Sequence, residues 1–411
     1  MSRASRLGAL LYNTEASFSE ISTTFGTRLQ TLGPPTFDLQ QPRMNIGITQ
    51  QRAHEGTQDV RMVQTGTLTF ELMLGGHGGT AAGSLTATHL STLLGHVIGT
   101  STAGQIGSTV AASPSPTTTT FTATGVNLSN GGMCRIGALN DGRGEGQFYA
   151  VSGESSDAVT LLTATGSAPA TADVVYAALL VHPSETPGTF ETVQSLRFRV
   201  LSANNHYDLN GCYPTAIEIP NLNVCEVPRI KLTFAVSRWD NVSATFPDTT
   251  STDAKVGAPI AAGSISINAR GTATRATYGL RDFKVTLDSQ VIPIFGPGGL
   301  STYQNIVGAK RLKCGATISC TFDAETTGTQ VWEDLYETAD SSLTSRHIIW
   351  TGSVADGRAI GMYFPNAKLI SPRPTQVDID GINRVPVMFE AMTDTTTTSD
   401  LTMSNFRLGL A

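Results

Sequence analysis

Charge is what this sequence has least of. Of 411 residues only 15% are Asp, Glu, Lys or Arg, against about 25% in an ordinary soluble domain. The net charge is -6 and the pI near 5.7, which leaves little for the basic patch that a general nucleic-acid binder carries. Long apolar runs are missing too. Nothing approaches the ~18 residues of a membrane-spanning helix. Arg3 and Arg6 are followed only by the short run Leu7 to Leu11, too little for the core of a secretory signal. Aromatics are 7%. With neither a signal nor aromatic girdles, an outer-membrane barrel is not expected. Cysteine is scarce and odd in number: Cys134, Cys212, Cys225, Cys314 and Cys320. None form a CxxC pair, so neither a disulfide framework nor a zinc site is expected, and the chain reads as one kept in a reducing compartment.

What is abundant points to strands and turns. There are 41 glycines, and roughly one residue in seven is threonine. These residues, with Val and Ile, suit sheets and tight turns better than helices. Apolar residues are 40%, enough for a core, and the length predicts two or three domains.

An internal repeat organises the chain. Gly66-Thr-Leu-Thr-Phe-Glu-Leu72 is a period-2 strand with Leu68, Phe70 and Leu72 on one face. Gly315 to Phe322 matches it with Ile318, Cys320 and Phe322. Each is followed by a helix expectation, Thr86–Ile98 and Thr327–Thr338, the second with Asp323 as a nearby N-cap. Each is preceded by a strand and a long loop: Phe37–Ile48 then Thr49–Arg61, and Phe283–Ile292 then Pro293–Ile306. Downstream, Gly211-Cys-Tyr213 runs into Arg229 to Val236, and Gly361-Met-Tyr363 into Arg384 to Ala391. Arg229 aligns with Arg384 and Phe234 with Phe389. The order strand, loop, strand, helix, strand, strand therefore occurs twice.

Between the halves of the first copy lies an insertion. It opens with Ser113-Pro-Ser-Pro-Thr-Thr-Thr-Thr120, which reads as an extended linker. Short strands follow, separated by turn signals such as Asn140-Asp-Gly142. The resulting division is an N-terminal arm over 1–33, a first β unit from 34–99 and 182–245, and an inserted β module over 100–181. A linker over 246–262 then leads to a second unit over 263–411 that ends in a C-terminal arm. The last run, Leu401–Leu408, alternates poorly and reads as an edge or arm. The module is expected to decorate the outside and to be dispensable for assembly.

No catalytic constellation, metal site or cofactor site is found. Gly75-Gly-His-Gly-Gly79 lacks the Lys-Ser/Thr of a phosphate loop, and Gly142-Arg-Gly-Glu-Gly146 is followed by no helix. His89 and His96 share a helical face without a carboxylate partner. Asp378-Ile-Asp-Gly381 lacks the remaining ligands of a calcium loop and reads as a turn. The loops Thr49–Arg61 and Pro293–Ile306 are better candidates, because loops this long in compact domains are usually functional. The first offers Arg52, His54, Glu55 and Asp59. The second offers the tip Phe295, Gly296 and Pro297 with Leu300 and Tyr303, an apolar surface suited to docking on a neighbour.

The element order, with Gly66–Leu72, Gly75–Ser84, Leu90–Gly99, Gly211–Pro214, Val227–Phe234 and Gly361–Phe389, resembles the tail tube (major tail) proteins of long-tailed bacteriophages. The resemblance implies a mainly β fold of two tail-tube-like β-sandwich domains, each with a flanking α-helix, plus the inserted all-β module. It implies a non-enzymatic subunit of stacked rings in the virion tail, assembled in the host cytoplasm, with three doubled chains making a pseudo-hexameric ring. The two long loops would tie ring to ring. The partners implied are further copies of the chain, a tape measure protein, a tail terminator, distal tail or baseplate proteins, and viral DNA passing through a mildly negative bore without specific binding. No membrane partner is implied. The alternatives are another virion ring, baseplate or decoration protein, or a carbohydrate-binding β protein using Phe148, Tyr149 and Tyr176 of the module.

Overall fold

The computed structural model describes residues 10–411 apart from 19–24, 50–54, 76–82, 86–88, 138–146, 187–190, 223–225, 243–263, 270–276, 297–305, 331–344, 354–358, 371–376 and 394–399, and some single or paired positions between them. Among the described residues strands account for 65% and helices for 5%, in large antiparallel sheets, as the Thr-, Val- and Gly-rich composition predicts.

In chain order the first half contains β1 (Leu10–Thr14), β2 (Thr27–Leu29), β3 (Thr36–Gln40), β4 (Arg43–Thr49), β5 (Glu55–Arg61), β6 (Thr65–Met73), β7 (Gly83–Leu85), α1 (His89–Ile98) and β8 (Thr100–Thr102). The inserted module carries β9 (Gly104–Thr109), β10 (Thr120–Thr122), β11 (Met133–Ile136), β12 (Phe148–Ser155), β13 (Ala158–Leu161) and β14 (Val174–Ala177). The chain returns through β15 (Leu179–His182), β16 (Leu196–Ser202), β17 (Asn205–Ile219), β18 (Arg229–Val236) and β19 (Arg238–Val242). The second half contains β20 (Ser264–Ala269), β21 (Thr277–Tyr278), β22 (Leu280–Phe295), β23 (Ile306–Asp323), β24 (Glu325–Thr326), β25 (Thr329–Gln330), β26 (Arg346–Ser353), β27 (Ile360–Leu369), β28 (Val377–Ile379), β29 (Ile382–Ala391), α2 (Asp400–Met403) and β30 (Arg407–Leu410).

The repeat seen in sequence recurs as strand register. In the first half Leu68 faces Phe234, Phe70 faces Leu232 and Leu72 faces Ile230. In the second half Ile318 faces Phe389, Cys320 faces Val387 and Phe322 faces Val385. The same aligned positions pair in both. The Gly-x-Tyr copies are less alike. β27 sits four residues further along its partner than β17 does, judged by Glu218 facing Lys231 and Lys368 facing Glu390. The two glycines also serve different ends. Gly211 adopts φ +62, a left-handed conformation that glycine takes without strain. Gly361 has the Phe148 ring of the module against it, 2.6 Å from where a Cβ would lie.

The core lies between the sheet and α1. Phe198 packs on Phe70 and Phe234 at 5.6 and 4.9 Å between ring centres, and Leu93, Leu94, Val97 and Ile98 of α1 are fully buried beside them. The equivalent layer of the second half stacks Phe283 on Trp350 at 4.9 Å. The period-2 burial of β6 and β18 explains these strands: alternate side chains enter the core.

Several expectations change. The loop Thr49–Arg61 is largely strand: β5 pairs with β4 along Glu55–Arg61. Its sequence, EGTQDVR, has no apolar alternation to reveal it. The loop at Pro293 begins inside β22, which runs to Phe295 opposite Ile306. Among the described strands this end of β22 pairs only with β23, so it is an edge where proline is tolerated. The helix expected over Thr327–Thr338 is not seen at its described positions, Thr329–Gln330, which form β25; the rest lies outside the described residues. Nor is Ser113–Thr120 an extended linker. Thr117 Oγ1 accepts the Thr120 N–H at 2.9 Å, and the carbonyls of Thr118 and Thr119 accept the N–H groups of Thr165 and Leu161, each at 2.8 Å. Threonine hydroxyls satisfy the turn.

The module's strands run β10-β13-β12-β11-β14-β9-β7. A bridge from Val110 to Ala123, with the Ala111 N–H on the Thr122 carbonyl at 2.8 Å, joins the end of β9 to the end of β10 and closes a small barrel, with β7 of the first half added beside β9. Phe121, Cys134, Tyr149, Val159 and Val175 fill it. The C-terminal run is no edge: β30 lies between β15 and β27 and is buried throughout, while α2 occupies the residues that broke its alternation. The N-terminal segment also enters the sheet, where β1 pairs with β16 and β2.

Candidate assembly surfaces

Eight strands form one continuous antiparallel sheet across both halves, in the order β3-β6-β18-β17-β22-β23-β29-β27. Each half supplies four. The joint in the middle pairs Ile217 with Leu287, Glu218 with Thr286 and Ile219 with Val285. The four aliphatic side chains are buried, and the Leu222 N–H extends the seam to the Phe283 carbonyl at 2.9 Å. Glu218 points the other way. It reaches Lys284 at 3.0 Å on one side and Lys231 at 3.8 Å on the other, so its carboxylate spans the joint.

Among the described residues the two ends of this sheet have no further partner strand. β3 pairs there with β6 alone, and its burial alternates with Thr36, Asp38 and Gln40 exposed. At the other end β27 repeats the environment of β17 with one neighbour missing. The first part of β17 lies between β16 and β19, and its last part between β18 and β22. The first part of β27 lies between β26 and β30. Its last part, Lys368–Leu369, has β29 on one side and no strand on the other among the described residues.

The distal half of the β22–β23 hairpin reaches back over the first half. Val291 and Ala309 pack against Val193 and Tyr213, and Lys310 pairs with Glu191 at 2.7 Å. Arg311 is the anchor. At 2% exposure it donates from Nη1 to the Ile98 carbonyl and from Nη2 to the Val97 carbonyl, both at 2.8 Å. These are end carbonyls of α1, where the helix dipole favours a cation. Burial pushes the Arg311 pKa below its ordinary value, while Cys314 opposes this. The opposite face of the hairpin is apolar and exposed: Ile292, Ile294, Phe295, Val307 and Leu312 are between 40 and 67% accessible.

Of the residues expected to dock on a neighbour, Phe295 stands at the end of β22 as the most exposed of this strip, and Gly296 follows it against the Val307 side chain. Glu55 and Asp59 lie on β5, opposite Thr49 and Asn45. Arg52, His54, Pro297, Leu300 and Tyr303 lie outside the described residues, as does His77. His96 is half-buried, and burial lowers its pKa against a hydrogen bond to the Gln194 side chain that raises it. Asp378 is part of the β28–β29 pairing, in which Ile379 faces Ile382; Asp380 and Gly381 of the expected turn lie outside the described residues.

The module sits on the second half. Met133, Phe148, Ala150 and Tyr176 pack with Ile349, Ala359 and Tyr363. Arg407 donates from Nη1 to the Gly131 carbonyl at 2.7 Å and from Nη2 to the Thr402 carbonyl at 3.1 Å. A cavity of about 260 Å³ beside this seam is lined by Asn130, Ser152, His347, Tyr363 and Arg407 among others, with no carboxylate or thiol. Phe148, Tyr149 and Tyr176 are 0, 1 and 4% exposed, so none offers a ring face on which a sugar could stack.

The sequence signals missed Glu218, Arg311 and Arg407. Each acts on a partner far away in sequence, and no local pattern announces that. No helix among the described residues is long and apolar enough to cross a membrane. No protein-family model matches the chain, and no curated protein is significantly similar to it.

Proposed function

We propose that this chain is a structural subunit of a self-closing ring, a tail-tube protein in which two β-sandwich units on one chain stand for two ring positions. One observation carries the reading. The joint between the halves is a strand pairing whose two sides recur at the sheet's outer ends, with no partner strand among the described residues. β3 occupies in the first half the place that β22 occupies in the second, and the end of β27 lacks the neighbour that β22 gives to β17. A second copy satisfies both edges, and repetition of the same operation closes a ring. Asp38 on one edge and Lys368 on the other are of opposite charge.

Three chains would contribute twenty-four strands. At a spacing of about 4.8 Å and a tilt of about 40°, these give a circumference near 150 Å and a backbone diameter of about 48 Å, wide enough for a DNA duplex. Closure also removes exposed edges that otherwise aggregate. The apolar strip of the β22–β23 hairpin is the surface assigned to the next ring, and further virion tail proteins would meet the first and last rings. A ring that caps without stacking is the decoration or baseplate alternative. The carbohydrate-binding alternative loses its support with the burial of Phe148, Tyr149 and Tyr176.

Negative-stain imaging and native mass spectrometry of the concentrated protein test the proposal. Trimeric rings that stack into tubes are expected. Monomers at every salt and protein concentration would overturn it.

A further inference from the structure

The outward face of the eight-stranded sheet concentrates ionic side chains, and they are arranged in compensating pairs. Arg229 lies 3.8 Å from Glu71, and Lys313 lies 3.5 Å from Asp288. Lys368 faces Glu390 across the β27–β29 register. Glu218 stands between two lysines, at 3.8 Å from Lys231 and 3.0 Å from Lys284. The intervening positions are neutral: Thr67, Thr69, Thr233, Thr286, Thr317 and Ser319 alternate with core residues along their strands. Acid and base alternate across the strands, and with Asp38 on the edge strand β3 the five bases named here meet five acids.

We infer that these carboxylates mask the basic side chains from a passing polyanion, and that Glu218 is the principal mask because it compensates two lysines at the joint. The inference rests on the reading of this sheet as a wall past which DNA moves. Affinity for a duplex grows with each cation free to displace a counterion from a phosphate, with a slope of about 0.9 in log affinity against log salt per contact. A face with no surplus cation holds DNA weakly at any salt. A face with a surplus acid repels it and slows entry. Compensation avoids both, and places the neutralising charge in the sheet rather than leaving it to counterions. Removing the Glu218 charge leaves two ammonium groups without their partner and keeps the backbone pairing intact.

The test is binding of a fluorescent DNA duplex by the full chain, followed by anisotropy and by co-sedimentation, at 50 and 200 mM salt. The wild type is expected to bind weakly with little salt dependence. Glu218→Gln is expected to gain about 3.5-fold in affinity at 50 mM relative to 200 mM, since removing one carboxylate adds one net cation and each contributes roughly that factor over this range. Adding Lys231→Gln and Lys284→Gln to that variant should return the wild-type behaviour, which a merely misfolded Glu218→Gln protein would not do. Salt-dependent retention by the wild type, or no gain in Glu218→Gln with unchanged circular dichroism, would overturn the inference. The face is complete within one chain, so the titration applies whether or not rings form. Absence of rings tells against the proposed function, and the affinities tell separately against the masking role.

Discussion

Replacing Arg311 should loosen the contact between the two halves more than any single aliphatic truncation at the same place. The guanidinium leaves a strand of the second half and ends on two carbonyls of α1 in the first, at 2.8 Å each, with 2% of the residue exposed. Hydrogen bonds from charged donors contribute about 1.5–3 kcal/mol each, and loss of the donor leaves buried acceptors unsatisfied. A cation at a partly buried helix C-terminus contributes up to ~2 kcal/mol. Against this stands the desolvation of the guanidinium, which also lowers its pKa. The balance for Arg311→Met, which retains most of the side-chain volume, is a loss of about 3 kcal/mol. Arg311→Lys should recover less than half, because an ammonium cannot fork to two carbonyls in fixed geometry. In a chain of this size a single unfolding free energy is unsafe, so hydrogen exchange of the α1 amides is the better readout, with limited proteolysis of the hairpin beside it. Protection of α1 should fall about a hundredfold in Arg311→Met. A change of less than threefold, with the hairpin equally resistant to protease, would refute the anchoring role.

Excision of the barrel is expected to be harmful, contrary to the view of it as dispensable decoration. Removing 104–177 behind a short linker uncovers Ile349, Ala359 and Tyr363, now at most 4% exposed, at a cost on the order of 5 kcal/mol; an unchanged melting temperature and no dye binding to apolar surface would contradict this. The wider cut of Thr100–Val181 also removes β8 and most of β15, the partner of β30, and should yield insoluble protein. His96 provides a pH prediction. Burial lowers its folded pKa below the usual ~6.5, so the unfolded chain binds the proton more readily, and stability falls as pH drops below about 6.5. His96→Gln should flatten the denaturation midpoint between pH 5 and 7.5, and an identical slope in both proteins would exclude His96 as its source.

The strands that pack alternate side chains into the core were legible in the sequence, because burial on one face writes a period of two. Leu68, Phe70 and Leu72 and their counterparts Ile318, Cys320 and Phe322 appear in matching register for that reason. The Leu90 to Val97 spacing revealed α1 equally well. The hairpin strand Glu55–Arg61 did not show itself, since it carries no apolar face. Pro293 disguised the continuation of β22, because an edge strand tolerates what a central strand rejects. Threonines at 117–120 looked like a flexible tether when their hydroxyls in fact close a turn. The assembly surfaces were the least visible. The β17–β22 joint and the seat of Arg311 join residues far apart in sequence, and Gly211 and Gly361 share a letter without sharing a cause.

The seam formed by β15, β30 and β27 has a consequence for the order of folding. Leu179 faces Leu410, and Leu410 faces Ile360, so the strand that links the halves closes a loop of more than two hundred residues. Such closure costs about 5 kcal/mol of chain entropy before any contact repays it, and pairings of this separation form slowly. Until β30 is seated, β15 and β27 each present a bare edge able to capture a neighbouring chain in the wrong place. Correct partners therefore depend on timing as well as on shape: a chain whose own seam is unfinished offers more edges than the proposed ring can use.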